Sequence, residues 1–310
     1  MKEFELIARL TKSLPTNPTV ITGAGDDCAV LDLGIPGELV LFKTDAVVEG
    51  IHFTREVPPE KIGHKALARC LSDIAAMAGT PVAALVTIAL PQDFDTEFVA
   101  QIYAGLTALA AKFEVAIAGG ETTTNPGRIL ISISLLGTVR RGKQVLRSGA
   151  RAGDAIFVTG ELGGSLAGKH LDFEPRLTEA RWLAEHFPIH AMMDLSDGLA
   201  GDLRHILGAS RTGAELLKSA VPVSRAAKMR ARKGSNAKPA FVAALADGED
   251  YELLFTLAAK NAVKLLDAWK KEFPGLRLSC LGKIIAGEGI VIRDKTSSLK
   301  LNANGYVHFA

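Results

Sequence analysis

The segment ELVLFKTD, residues 38–45, constrains this chain most: it is rich in β-formers, lacks glycine and proline, and closes on a carboxylate. That composition predicts a buried or half-buried strand, with Asp45 standing where the strand leaves its sheet. The stretch continues as KTDAVVEGIHF, residues 43–53. It offers the hydroxyl of Thr44, the carboxylate of Asp45 and the ring nitrogen of His52, which are hard-metal ligands and a hydrogen-bonding group suited to an anion. An Asp at a strand end also serves as a turn former or helix cap. The meaning of Asp45 therefore depends on the other carboxylates of the chain.

Acidic residues recur at the ends of apolar segments. GAGDDCAVLDL, residues 23–33, puts Asp26 and Asp27 directly after a glycine turn. Adjacent carboxylates repel unless they are solvated or share a cation, and either reading suits this turn. Pro58 and Pro59 suit a helix entry, after which Ile62, Ala66, Leu67, Cys70, Leu71, Ile74 and Met77 recur at helical spacing as far as Gly79. Asp73 interrupts that helix, facing either solvent or a metal shared with Asp27 and Asp45. Residues 82–90 read as a strand and residues 95–113 as a helix capped by Asp95, with Tyr103 off its apolar face. VAIAGGETT, residues 115–123, is a short strand running through Gly119 and Gly120 into Glu121, and RILISISLLGTV closes this half at about residue 139. Strands and helices in this order build an α/β or α+β layer domain.

Residues 140–153 are basic and glycine-containing, a connector in which Arg147 has the planar fork that grips phosphate. A strand from Asp154 then leads into Gly163–Lys169, which matches GxxxxGK, but His170 stands where a P-loop needs Ser or Thr for magnesium. His186 and His190 straddle Pro188, so they do not form a helical metal pair. In AMMDLSDGLAGDLRHILGAS, residues 191–210, Asp194 and Asp197 flank Ser196 ahead of an amphipathic helix. A cap accounts for Ser196 or Asp197 but not for Asp194. Basic residues crowd 225–238, which reads as a mobile surface segment. ADGEDYELLF, residues 246–255, again sets Glu249 and Asp250 before a strand.

At 310 residues the chain suits two domain cores. Its 36 basic and 34 acidic residues leave no global field for nucleic acid or a membrane surface. Cys28, Cys70 and Cys280 are too widely spaced for a zinc site and suit reduced thiols. With no signal-like or spanning segment at the start, the expected location is cytoplasmic.

Taken in order, GDDCAV, TDAVVEGIHF, LSDIAAMAG, GGET, RSGARAGD, MDLSDGL, GEDYELLF and GYVHF resemble the thiamine-monophosphate kinase family across residues 1–309. That family lies within the aminoimidazole ribonucleotide synthetase-like superfamily. The resemblance implies an α+β fold of two domains. Residues 1–139 would form a sheet-and-helix domain that binds metal and ATP and dimerises, and residues 140–310 an α/β domain that completes the ATP and substrate site. The implied activity is ATP-dependent phosphorylation of thiamine monophosphate to thiamine diphosphate by a homodimer carrying several magnesium ions. By the same resemblance Asp27, Thr44, Asp45, Asp73, Glu121, Asp194 and Asp197 hold magnesium. Tyr103, Gly120, Glu121, Arg147 and Ser196 meet ATP, and His52, Glu249 and Tyr306 meet the second substrate. No dedicated general base is expected, because a phosphate nucleophile is already anionic. Two positions depart from the family pattern: Lys43 where it usually carries Ser or Thr, and Glu121 where it usually carries Asp. A protonated Lys cannot ligate a metal. Two alternatives therefore stay open, another ATP-dependent synthetase of the superfamily and a catalytically weakened nucleotide-binding sensor.

Overall fold

The computed structural model describes residues 3–233 and 237–301, so Tyr306 and the GYVHF motif lie outside the described residues. The chain divides into two compact units. One, the N-terminal unit, comprises Pro18–Gln144 with His170–Thr178; the other, the C-terminal unit, comprises Met1–Asn17, Val145–Lys169 and Glu179–Ala310. The first helix thus groups with the second half of the chain, and a short later segment groups with the first half.

After α1 (Glu3–Thr11), the N-terminal unit runs β1 (Val20–Thr22), β2 (Ala29–Leu31), β3 (Glu38–Val48), α2 (Pro59–Ala76), β4 (Thr80–Leu90), α3 (Thr96–Lys112), β5 (Ala116–Thr124) and β6 (Leu130–Arg140). Its sheet has the order β1-β2-β3-β6-β4-β5, antiparallel except where β4 pairs with β5. The 38–45 strand extends three residues further than its β-former run, because Asp45–Val48 still pair with Ile133–Leu130 on β6. Alternation splits the sheet into two faces. Ile131, Ile133, Leu135 and Val139 are buried beneath the helices, with Ile74 of α2 against Gly137. The other face carries exposed Phe42, Leu85 and Leu136 beside Thr44, Ser132 and Ser134.

α2 begins at Pro59 and ends before Gly79, whose N–H returns to the Ile74 carbonyl. It crosses α3 at two glycines. A Cβ on Gly63 would fall 1.8 Å from the Ile102 carbonyl oxygen, and one on Gly105 would fall 1.9 Å from that of Glu60. The backbones themselves touch there, so only glycine fits. Asp95 caps α3 as the sequence predicts, accepting from the N–H groups of Glu97 and Phe98. The 170–178 segment joins this helical layer through Phe173, whose carbonyl lies 2.8 Å from His64 Nε2, and through Lys61–Asp172 and Lys112–Glu174 ion pairs.

The C-terminal unit contains β7 (Asp154–Thr159), α4 (Leu177–His186) from Glu179 onward, β8 (Ile189–Asp194), α5 (Leu199–Ser210), β9 (Gly213–Leu217), α6 (Arg225–Arg230), α7 (Ala240–Ala246), β10 (Leu253–Ala258), α8 (Ala262–Glu272), β11 (Leu278–Ile285), β12 (Gly289–Arg293) and β13 (Ser298–Lys300). The sheet order is β13-β12-β9-β11-β7-β10-β8, with β9 and β12 the parallel pair. Ile156, Val158, Met193 and Leu254 share one core with Leu199, Leu203, Ile206 and Leu207 of α5. Trp182, Trp269 and Phe273 form an aromatic cluster with ring centroids 4.6 to 6.0 Å apart. Among its described residues, the basic segment is tied down at Arg230 and Lys238. Ser224 caps α6, and Arg230 and Lys238 both bind the carboxylate of Asp247. One well-buried acid thus takes up two of the segment's positive charges.

Candidate functional site

Strand alternation sorts the expected ligands of the N-terminal unit onto two faces. Thr44 sits opposite Ser134, and the row Ala46–Ser132–Thr87–Glu121 runs across β3, β6, β4 and β5. Thr44 Oγ1 lies within 3.5 Å of both the Ser132 and Ser134 hydroxyls, so Thr44 and Glu121 belong to the uncovered face. Asp45 and Lys43 belong to the helix-covered face. There Asp45 Oδ2 is 3.1 Å from Arg69 Nε of α2, and Lys43 Nζ is 2.9 Å from Asp73 Oδ1.

Asp73 is 7% exposed and Asp27 is 1% exposed, and a carboxylate oxygen of each lies within 4.8 Å of the other. Of the two readings open for Asp73, the solvent-facing one is thereby excluded. Burial works against the charge of Lys43, yet Asp73 and then Asp45 outweigh it and hold its pKa above the ordinary lysine value. Burial and the neighbouring Asp73 push the Cys28 thiol up. Burial first, then Asp45 and Asp73, do the same for Cys70. These two cysteines are neutral packing groups, not nucleophiles.

His52 has a defined tautomer. Its Nδ1 accepts from the Val48 N–H at 3.0 Å, so in the neutral ring the proton sits on Nε2. Lys65, itself 1% exposed, donates to the His52 carbonyl at 2.9 Å and fixes the loop that carries it. Gly120 is required sterically, since a Cβ there would lie 1.8 Å from the Val86 carbonyl oxygen. Tyr103 stands on α3 part-buried, with its phenol pushed up by burial.

In the C-terminal unit, Asp194 ends β8 and is 3% exposed. The loop after it is zipped to the 248–252 segment: Glu249 N–H donates to the Ser196 carbonyl at 2.7 Å, Tyr251 N–H to Leu195, and Leu195 N–H to Glu252. Glu249 and Tyr251 hold φ of 53° and 49°, a left-handed conformation costly for residues with side chains, and it concentrates at this junction. Neither Ser196 nor Asp197 caps α5. Its N-cap is Gly198 with no side-chain cap, and Asp202 reaches back to accept from the Asp197 N–H at 3.0 Å.

Sequence reasoning did not single out Asp202 and His205. Each offers a ligand atom within 4.8 Å of one on Asp197 and of the other. Their three-residue spacing on one helix was the available signal. Burial, followed by Asp197 and Asp194, pushes the Asp202 carboxyl well up, against the pull of Arg147. The lysine of the GxxxxGK stretch has a different task from phosphate binding. Lys169 Nζ lies 2.6 Å from Glu252 Oε1, Thr159 donates to Glu252 Oε2, and the Gly163 N–H donates to Asp250. Lys169 is thus spent on a buried carboxylate beside the Glu249 loop.

Magnesium needs oxygen donors in a near-octahedral set. Asp27 and Asp73 in one unit, and Asp194 and Asp197 in the other, provide buried or part-buried carboxylates of that kind. The residues present fit the ion, with the ammonium of Lys43 already on Asp73.

Family models of AIR synthase related proteins match both parts of the chain, the N-terminal domain over residues 25–139 and the C-terminal domain over residues 151–295. The thiamine-monophosphate kinase of Rhodopirellula baltica is 41% identical over 302 residues, covering 94% of this chain and 92% of that protein. The thiamine-monophosphate kinase of Aquifex aeolicus is 33% identical, covering 99% of this chain and 98% of its own length. Among solved structures, AaThiL complexed with AMPPCP and TMP matches with a TM-score of 0.81 at 30% identity, covering 99% and 97% of the two chains.

Proposed function

The chain belongs to the thiamine-monophosphate kinase family, and from that membership we propose that it phosphorylates thiamine monophosphate to thiamine diphosphate with ATP, using magnesium held on its strand-end carboxylates. The observation that carries this reading is the full-length match to thiamine-monophosphate kinases, one of them solved with an ATP analogue and TMP. In the reaction, a terminal phosphate oxygen of thiamine monophosphate bonds to the γ-phosphorus of ATP. The bond from that phosphorus to the β,γ-bridging oxygen breaks, and ADP leaves. The attacking oxygen is already anionic, so no side-chain base is required. Magnesium, when bound, neutralises the charge that two phosphate-bearing substrates bring together.

The chain's own residues bind and orient. Asp27, Asp45 and Asp73 in the N-terminal unit, and Asp194 and Asp197 in the C-terminal unit, supply the metal ligands, with Thr44 and Glu121 as further oxygen donors. Arg147, Tyr103, Gly120, Glu121 and Ser196 hold ATP. Arg147 suits phosphate because its planar fork binds two oxygens at once. His52 offers an Nε2–H donor to the anionic substrate, and Glu249, fixed by its bond to Ser196, offers an acceptor to the thiamine cation. Tyr306 is a third substrate contact in this reading. The uncovered sheet face, with Phe42, Leu85 and Leu136 exposed, supports a homodimer joined through the N-terminal unit. Among the described residues no helix is long and apolar enough to cross a membrane, and Cys28, Cys70 and Cys280 are all unpaired thiols, which suits a cytoplasmic enzyme.

Purified protein incubated with ATP, magnesium and thiamine monophosphate is expected to form thiamine diphosphate and ADP in equal amounts, read by chromatography. Parallel reactions with thiamine and with hydroxymethylpyrimidine phosphate should be silent. Nucleotide binding without thiamine diphosphate formation would favour the sensor instead.

A further inference from the structure

In the N-terminal unit Asp27 and Asp73 bring their carboxylates together, Asp45 stands on β3 beside Lys43, and the unit also supplies its own cations. Lys43 Nζ is 2.9 Å from Asp73 Oδ1, and Arg69 Nε is 3.1 Å from Asp45 Oδ2. Both oxygens of Asp45 are engaged, since Oδ1 accepts from the Ala46 N–H at 2.8 Å. Two of the three carboxylates thus already face a side-chain cation before any metal binds. An ammonium already seated on Asp73 repels a divalent ion brought to the same carboxylate.

The Lys43 side chain is 22% exposed and that of Asp73 is 10%, so the pair is partly withdrawn from water and its charges act on a nearby dication with little screening. The direction in which Lys43 points is fixed by the strand. Lys43 pairs with Leu135, whose side chain is fully buried on the helix side, so the ammonium is delivered toward α2 and not to solvent.

We propose that Lys43 is a built-in cation that takes the place of one divalent ion on Asp73, so that this enzyme loads one metal ion fewer than the same carboxylates would hold with a small neutral residue at position 43. The inference rests on the reading of Asp27, Asp45 and Asp73 as metal ligands. Lys43 supplies charge without coordination geometry. The lysine also leaves Asp73 compensated before metal binds, which makes folding of this unit less dependent on the metal.

The test counts ions without turnover. Full-length parent, Lys43→Ser and Lys43→Met are titrated with Mn2+ in the presence of the non-hydrolysable ATP analogue AMPPCP, and bound ion per chain is read from the loss of the free Mn2+ resonance signal. Each neutral variant is expected to bind one ion more than the parent. In chelator, Lys43→Met should melt below the parent, and millimolar magnesium should raise its Tm by more than it raises that of the parent. If Lys43→Ser fails to fold, the methionine, close to lysine in length, carries the comparison. Equal stoichiometry and equal magnesium-induced Tm shifts in parent and variants would overturn the proposal while leaving the metal reading intact. A parent that binds Mn2+ no better than its Asp27→Asn variant would overturn the metal reading, and the proposal with it.

Discussion

At the scale of single residues, the most consequential contact joins two positions thirty residues apart. An Asp inside the apolar run of α2 was legible as a residue in need of a partner, because carboxylates are rarely buried alone. The partner was not legible, since nothing local to Asp73 points to Lys43 on a neighbouring strand. Carboxylate repulsion by itself predicts that Asp73→Asn stabilises the protein. The Lys43 contact reverses the sign. Asp73→Asn should lose most turnover and also about 2 kcal/mol of stability in chelator, because it strands a part-buried ammonium. Thermal melts of Lys43→Met, Asp73→Asn and the double variant check this. The double variant should be less destabilised than the two single losses added together, and simple additivity would mean the pair contributes nothing. Asp250 yields a pH signature. Burial, aided by Glu252 and Asp247, lifts its carboxyl from 3.8 to about 7 despite the Gly163 N–H and Lys169. A pKa raised on folding favours the fold fully below the unfolded value, near 4, and that favour is lost as pH climbs to about 7, at up to roughly 1.4 kcal/mol per pH unit. The Tm of Asp250→Asn relative to the parent should therefore improve between pH 5 and pH 8. A pH-independent difference would show that Asp250 does not titrate in this range.

At the scale of elements, α2, α3 and the long strands were readable from apolar period and from breakers such as Pro59 and Gly79, because each signal is local. What could not be read was why two helices carry glycine in their interiors, where it weakens a helix. Gly63 and Gly105 permit backbone contact between α2 and α3, and these are the helices that carry Asp73 and Tyr103. Gly105→Ala sets a methyl against the Glu60 carbonyl, which no rotamer change can relieve. It should cost about 1–3 kcal/mol or more and lower Tm by several degrees, with a fall in turnover as Asp73 and Tyr103 shift. An unchanged melt would mean the crossing is looser than this geometry. The cap of α5 and the fate of Lys169 were illegible for a related reason. Asp202, one turn into the helix, takes the Asp197 N–H in place of a side-chain cap, and Glu252, 83 residues along the chain, takes the lysine.

At the scale of the whole molecule, the six-stranded sheet is covered by helices on one side only. A half-covered antiparallel sheet ordinarily turns a polar face to water. Here Phe42, Leu85 and Leu136 are 44%, 50% and 41% exposed on that face, among Thr44, Ser132, Ser134 and Thr87. A second copy meeting the same face about a two-fold axis would bury them, since an isologous contact sets each apolar residue against the same patch of its partner. The consequence reaches the chemistry, because Thr44 and Glu121 share that face and a partner seated on it would shape their surroundings. Sedimentation equilibrium of the protein should therefore give a dimer, and Leu136→Asp should give a folded monomer, because the substituted side chain points into water and not into the core. Turnover per chain should fall in that variant, and it should fall in the parent on dilution through the dissociation range. A parent that sediments as a monomer at micromolar concentration, or a Leu136→Asp protein that remains a dimer, would mean that this face meets something other than its own copy.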